Sequence, residues 1–368
     1  MQYTRRTIVG LLASTCLAAS CVGASAQSVP TGYPAGYSDI IAAAKKEAKV
    51  TVYTSTDTAQ GKGLLDAFRK AYPGIEIDWN DLGTNNSYNR TISEAAANQV
   101  TADIVWTSAM DLQVNLVEKG LTAPIDSPEA AAIPAWAKYK GHAFGTSVEP
   151  AAIIYNKNLY PADAVPNSRA DLIKVLQERK EALKGKVATF DPEKSGMGFL
   201  WSTNDVTQTK TFWDLAKAFG ATQGKTYSSS GQMREKVISG EHTIAFNVIG
   251  SYALDWAKKN PAIGVAFQNE YTAAFSRVVI VTKGAPHANA ARLFVDFMLS
   301  KPGQEAAASS GMPSVRTDVA AGTDNIESLK KVTGGNLQPI PLDGKLVEWL
   351  DPKKRSEFLG EWKKAIAN

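Results

Sequence analysis

Lys186-Val-Ala-Thr-Phe-Asp191-Pro-Glu-Lys-Ser195-Gly-Met-Gly-Phe-Leu-Trp201 reads as a short buried strand, a turn at Asp191-Pro192, a small-residue loop and a helix start. Ser195 is placed to cap that helix, and its glycines let backbone N–H groups come close to a ligand. The start of a helix concentrates unpaired amides and the positive end of the helix dipole, so this stretch reads as an anion-binding element. The bland alternative is an ordinary strand-to-helix turn. The pattern around it decides between them.

Upstream, strand and helix alternate. A helix is expected over 39–48 with Ser38 as its cap, then an alternating strand over 49–54, a helix over 60–71 and a strand over 74–79. A helix over 87–99, a strand over 103–106 and a helix over 111–119 follow. Glu149-Pro-Ala-Ala-Ile-Ile-Tyr155-Asn156 reads as a strand crossing into a second unit. That unit alternates again, with helices over 168–183, 208–219, 231–239 and 251–259 and strands over 186–190, 225–228, 243–247 and 263–267. Ser276-Arg-Val-Val-Ile-Val-Thr282 reads as the strand returning to the first unit. Helices are expected over 289–299, 302–309 and 356–366. Such alternation implies an α/β fold with mainly parallel sheets and helices on both faces.

Ligands of parallel α/β sheets sit beyond the carboxyl ends of the strands. Those ends are rich in small hydroxyl and amide groups: Thr54-Ser55-Thr56, Thr107-Ser108, Ser195-Gly196, Ser228-Ser229-Ser230 and Asn247. Five such loops describe a polar cleft between two α/β halves.

The first residues carry an address. Arg5-Arg6, the apolar run over 7–19 and Ala24-Ser25-Ala26 form an export signal cleaved after Ala26. Paired arginines fit either the twin-arginine or the ordinary export route. Both cysteines, Cys16 and Cys21, fall in the signal, which excludes disulfides, thiolate catalysis and Cys-ligated metals in the mature chain. Loss of the two signal arginines takes the net charge from +4 to +2, with no basic cluster of the kind that binds nucleic acid. No later apolar run is long enough to span a membrane, so a soluble exported protein is expected.

Catalytic motifs are absent. The three histidines, His142, His242 and His287, show no metal spacing and sit beside no nucleophile, and read as surface or loop residues. A carboxylate pair distant in sequence would escape detection, so an exported hydrolase stays open.

The ordered set Val50-Thr-Val-Tyr-Thr-Ser55, Ala102-Asp-Ile-Val-Trp106, Ala152-Ile-Ile-Tyr-Asn156, Asp191 to Gly198, Val279-Ile-Val-Thr-Lys-Gly284, Ala290 to Gln304 and Pro313-Ser-Val-Arg316 resembles a known family. It is similar to the periplasmic solute-binding proteins of ABC importers, in the subgroup holding ferric-iron-binding and phosphorylated-solute-binding members. The resemblance implies a two-lobed fold with a hinge of two crossover strands, bending at 151–155 and 278–281. Lobe one is expected over 27–150 and 277–315 and lobe two over 151–276, with 316–368 packing on both. It implies a monomer without cofactor or catalytic residue that closes over a small-molecule ligand and docks on a permease in the inner membrane. The ligand residues carried over are Thr54, Ser55, Thr56, Thr107, Ser108, Ser195, Gly196, Met197 and Gly198; Asn247, Ser251 and Tyr252 complete the expected set, and Arg277 is either a charge partner for an anion or a bridge between the lobes. Ferric binders present two adjacent tyrosines where this chain has Tyr252 followed by Ala253. An organic anion bearing phosphate, phosphonate or carboxylate is therefore the expected ligand, and iron the alternative.

Overall fold

The computed structural model describes residues 29–367. The export signal and both cysteines lie outside the described residues. In chain order the first part runs α1 (Tyr37–Glu47), β1 (Lys49–Thr54), α2 (Thr58–Ala71), β2 (Glu76–Asp81), α3 (Thr84–Ala96), β3 (Ile104–Thr107), α4 (Met110–Glu118), β4 (Thr122–Ala123), β5 (Lys138–Tyr139) and β6 (Ala143–Gly145). The middle runs β7 (Glu149–Asn156), α5 (Arg169–Glu178), β8 (Val187–Phe190), α6 (Gly196–Gln208), α7 (Phe212–Ala221), β9 (Lys225–Tyr227), α8 (Ser230–Ile238), β10 (Ile244–Ile249), α9 (Gly250–Lys259), β11 (Ile263–Ala266) and β12 (Thr272–Phe275). The rest is β13 (Val278–Thr282), α10 (Ala288–Leu299), α11 (Lys301–Ser309), α12 (Ile326–Val332), β14 (Leu337–Pro339) and α13 (Pro352–Ile366).

Two sheets form two lobes. The first has the order β2-β1-β3-β13-β6-β5, with β4 also on β13; the second has β14-β12-β7-β10-β8-β9, with β11 also on β7. Period-2 patterning places each strand between two layers. Val279 and Val281 of β13 join Val50, Val52 and the α10 residues Leu293 and Phe294 in one core. Val278 and Ile280, on the other face, join Tyr53, Met110, Ala152, Trp201 and Tyr252 in a core that runs between the lobes. A third core on the far face of lobe two packs Ile153 and Phe246 against Phe219 and Trp362.

The sheets are mixed, not mainly parallel. β1, β2 and β3 are parallel, and so are β10, β8 and β9. β13 runs antiparallel to β3 and β6, and β7 antiparallel to β10, β11 and β12. The cause is the crossing itself: a strand arriving from the other lobe enters its sheet from the opposite end. The links lie just outside these strands, at 146–148 and 276–277, because β7 and β13 are hydrogen-bonded along both edges. Thr146 N donates to Arg277 O (2.8 Å), and Arg277 N donates to Ser147 Oγ (3.0 Å). A third pass of the chain at Met312–Val315 joins them, with Val148 N donating to Pro313 O (3.0 Å).

Local chemistry explains the shifted ends. α1 starts at Tyr37, and Ser38 caps nothing, because Tyr37 is buried and donates its hydroxyl to Asp296 (2.6 Å). α13 starts at Pro352, where Asp351 accepts from Lys353 N and Lys354 N. β10 carries a bulge between Ala245 and Val248, with Asn247 in the left-handed region at φ 57°. The short strands β4 to β6, β12 and β14 and the helix α12 have no clear pattern in the sequence. β14 pairs with β12, the segment Gly344–Leu350 touches α4, and α13 packs on α7 with Trp362 stacked on Phe212 and Phe219.

Asp111, 2% exposed in the first turn of α4, has no side-chain partner. Burial pushes its carboxyl up to about 7 from 3.8. The folded chain thus holds a proton that the unfolded chain has lost between pH 4 and 7. Its contribution to stability is complete at the acid end of that window and falls as pH rises through it. Asp296, pushed up to about 6 by burial, adds to the same slope. Asp111→Asn is expected to flatten the fall and to raise the melting temperature at pH 8 by several degrees. Melting curves from pH 4 to 8 check this, and an unchanged slope would refute it.

Candidate functional site

A cleft of about 250 Å³ opens between the lobes. Lobe one contributes Ser55 and Asp57 after β1, Asp81 at the end of β2 with Gly83 and Thr84 beyond it, and Ser108 after β3. Lobe two contributes Phe190, Ser195 and Met197, the run Ser228 to Gly231, Ile249 and Tyr252. All lie at or beyond the carboxyl ends of parallel strands, where an α/β sheet leaves its crevice. Five lining residues, Asp57, Gly83, Ser195, Ser229 and Ile249, are also the residues that precede α2, α3, α6, α8 and α9. Five positive helix ends therefore converge on one space.

The loop after β8 is built by Asp191. Its Oδ1 accepts from Glu193 N (2.9 Å) and Lys194 N (3.1 Å), and its Oδ2 from Thr226 Oγ1 (3.2 Å). Ser195 Oγ then accepts from Gly198 N (3.2 Å) as the cap of α6. The loop meets lobe one across the cleft mouth. Gly196 N donates to Thr84 Oγ1, and Asn85 Nδ2 donates to Lys194 O, each at 3.0 Å.

Of the residues singled out in the sequence, Ser55, Ser108, Ser195, Met197, Ser228, Ser229, Ser230 and Tyr252 line the cleft, and Gly196 meets lobe one at its edge. The others stand behind it. Thr54 Oγ1 donates to Trp106 O (2.8 Å), and Thr107 is buried beside Val278. Gly198 is a packing glycine: a Cβ there would lie 2.7 Å from Asp191 O. Asn247 forms the bulge, and Ser251 Oγ donates to Glu149 Oε2 (2.7 Å). Arg277 is fully buried under the cleft. Its Nε donates to Glu149 Oε1 (2.8 Å), Nη1 to Thr56 Oγ1 (2.7 Å) and Nη2 to Tyr252 Oη (2.7 Å). One guanidinium thus ties a lobe-one loop, the hinge and α9 together.

Asp57, Asp81, Gly83 and Thr84 were not singled out. Asp81 and Gly83 lie just past the expected strand end at 79, and only their place at a strand terminus could have marked them. Burial and the charge of Asp57 push the Asp81 carboxyl up from its ordinary value, with Arg277 opposing. Burial also holds the Tyr252 phenol protonated well above its usual range, against the pull of Arg277. The histidines are engaged elsewhere, and His242 is buried rather than exposed, paired with Tyr227 Oη (2.7 Å). His142 meets Thr122 Oγ1 (2.8 Å) and His287 meets Asp103 (2.9 Å). Among the described residues no group of three or more His, Cys, Asp or Glu side chains could hold a metal ion.

The family model for bacterial extracellular solute-binding protein matches residues 63–334. The chain belongs to that family, as the sequence resemblance implied. It is 32% identical to the substrate binding protein of the ABC transporter from Agrobacterium tumefaciens, covering 86% of this chain and 94% of that one at a TM-score of 0.82. The fold is shared with iron-bound HitA from Pseudomonas aeruginosa (18% identity, 86% and 99% covered, TM-score 0.68). It is shared equally with the periplasmic binding protein AfuA from Actinobacillus pleuropneumoniae, solved with fructose-6-phosphate (22% identity, 86% and 98% covered, TM-score 0.67).

Two outcomes follow from this geometry. Arg277→Met leaves Glu149 charged and buried without its partner, and is expected to lose about 3–5 kcal/mol in urea unfolding. Adding Glu149→Gln should recover a large part of that loss. Gly198→Ala forces a methyl against backbone and should cost about 1–3 kcal/mol. Gly196→Ala, whose Cβ meets only lobe-one side-chain atoms at 3.0 Å, should cost under about 1 kcal/mol. Equal losses at the two glycines in the same measurement would refute the assignment.

Proposed function

We propose that this chain is the substrate-binding component of an ABC importer, exported to the periplasm with cleavage after Ala26, and that it captures a small organic anion by hinge closure. The anion bears phosphate, phosphonate or carboxylate. The observation that carries this reading is a pair of serines. Ser195 and Ser230 line the cleft, and each is only 3% exposed. Each Oγ accepts one backbone amide, from Gly198 and Ile249 respectively, and donates to no acceptor among the described residues. Two buried hydroxyl protons at helix starts call for an oxyanion.

In the open protein the two halves of the site are apart. A ligand touching both lobes favours the closed state by its difference in affinity between the two. Bending at the links 146–148 and 276–277 brings Thr84 against Gly196 and excludes water. The protein acts alone, and its closed form docks on the permease.

Ferric iron is the second reading. The donor chemistry disfavours it: Tyr252 keeps its proton and already accepts from Arg277, and Tyr271 is turned to Asp205, away from the cleft. An exported hydrolase remains the rival from another class, and turnover of phosphoesters by purified protein would establish it.

Thermal shifts with inorganic phosphate, methylphosphonate and acetate test the anion reading. At least one is expected to raise the melting temperature at millimolar concentration. Ser195→Ala with Ser230→Ala should lose two charge-assisted hydrogen bonds, each about 1.5–3 kcal/mol, and thus at least about a hundredfold in affinity. Undiminished binding by that variant would remove the serines from the site.

A further inference from the structure

Helix starts reach the cleft from both lobes, but only the lobe-one wall adds carboxylates. On lobe two stand three helix starts, at Ser195, Ser229 and Ile249, with the free hydroxyl protons of Ser195 and Ser230. On lobe one stand Asp57 and Asp81. Asp57 precedes the first turn of α2, where a carboxylate ordinarily accepts an amide of its own helix, yet it makes no such bond. Among the described residues no lysine or arginine lines the cleft. Arg277, the cation beneath it, already has Glu149 as counter-ion. A ligand carrying only negative charge would leave two carboxylates facing it without compensation.

We propose that the solute is a small zwitterion, with a phosphate- or phosphonate-type head on the starts of α6 and α8 and an ammonium group held by Asp57 and Asp81. This rests on the anion reading of the cleft and adds the second charge. Each wall then meets its complement: amides and hydroxyls donate to the oxyanion, and the carboxylates accept from the amine. Closure brings both ends of the ligand into contact at once, so neither end alone stabilises the closed state as well. The acidic pair also selects against simple anions, because they pay repulsion without gaining a partner.

Isothermal titration of the full mature chain with 2-aminoethylphosphonate, 3-aminopropylphosphonate, ethylphosphonate and propylphosphonate tests this. An aminoalkyl compound is expected to bind at least tenfold tighter than its amine-free counterpart. In Asp57→Asn with Asp81→Asn the preference should vanish, with aminoalkyl affinity falling at least tenfold and alkylphosphonate affinity rising as repulsion is removed. The wild-type comparison needs no variant, so a folding defect in the double variant leaves the test intact. Alkylphosphonates binding as tightly as their amino counterparts would overturn the zwitterion and leave the anion reading standing. If no phosphonate binds, the zwitterion fails, and the anion reading stands or falls on the thermal shifts with phosphate and acetate.

Discussion

The buried pair of Arg277 and Glu149 is the constraint on which the rest of the structure depends. Both side chains are fully removed from water, and neither could be so alone. Glu149 receives Arg277 Nε, Ser147 Oγ and Ser251 Oγ, while Arg277 also reaches Thr56 and Tyr252. Such a pair contributes little net stability against an apolar replacement, but it is strict about geometry. Its donors and acceptors come from a lobe-one loop, from both links and from the start of α9. It therefore fixes where the two crossings lie relative to each other, and with them the floor of the cleft.

With the crossings fixed, the remaining design is one of strand ends. Each lobe keeps a parallel core of three strands, β2-β1-β3 and β10-β8-β9, and accepts one antiparallel strand from the other lobe. The parallel strands all point their carboxyl ends at the shared gap, and the following helices begin there. The cleft is thus lined by backbone amides and short hydroxyl side chains, because long side chains would fill the gap between two approaching sheets. Gly196, with three lobe-one atoms 3.0 Å from where its Cβ would be, marks how closely the lobes meet.

Much of this was legible in the sequence, for a definable reason. β1 and β13 are runs of β-branched residues, and β7 and β8 are short apolar runs, all bounded by polar turns, and strong local patterns are read correctly. Ser195 as a helix cap needed only its own neighbours. What escaped was set by partners far along the chain. The direction of β13 depends on where the chain has been, not on Val-Val-Ile-Val. Tyr37 joins α1 because of Asp296, some 259 residues away. The threonines of Thr54-Ser55-Thr56 looked alike, yet Ser55 faces the cleft while Thr54 and Thr56 bind Trp106 O and Arg277. Asp57 and Asp81 were unreadable because isolated carboxylates are common on solvated helix and strand ends, and only the fold brings these two onto one wall.

The division of labour between Arg277 and the helix starts has a consequence for release. A guanidinium lining the cleft would hold an anion in the open state as well as the closed one, and equal affinity for two states shifts nothing. Here the cation is committed to the hinge, and under the proposed reading the two ends of the solute are met by different lobes, by amides and hydroxyls of lobe two and by carboxylates of lobe one. Those two half-sites face each other only when Gly196 approaches Thr84. Affinity then belongs to the closed arrangement, and parting the lobes dismantles the site instead of weakening one contact. A carrier that must let go of its solute gains more from such a site than from a fixed positive charge.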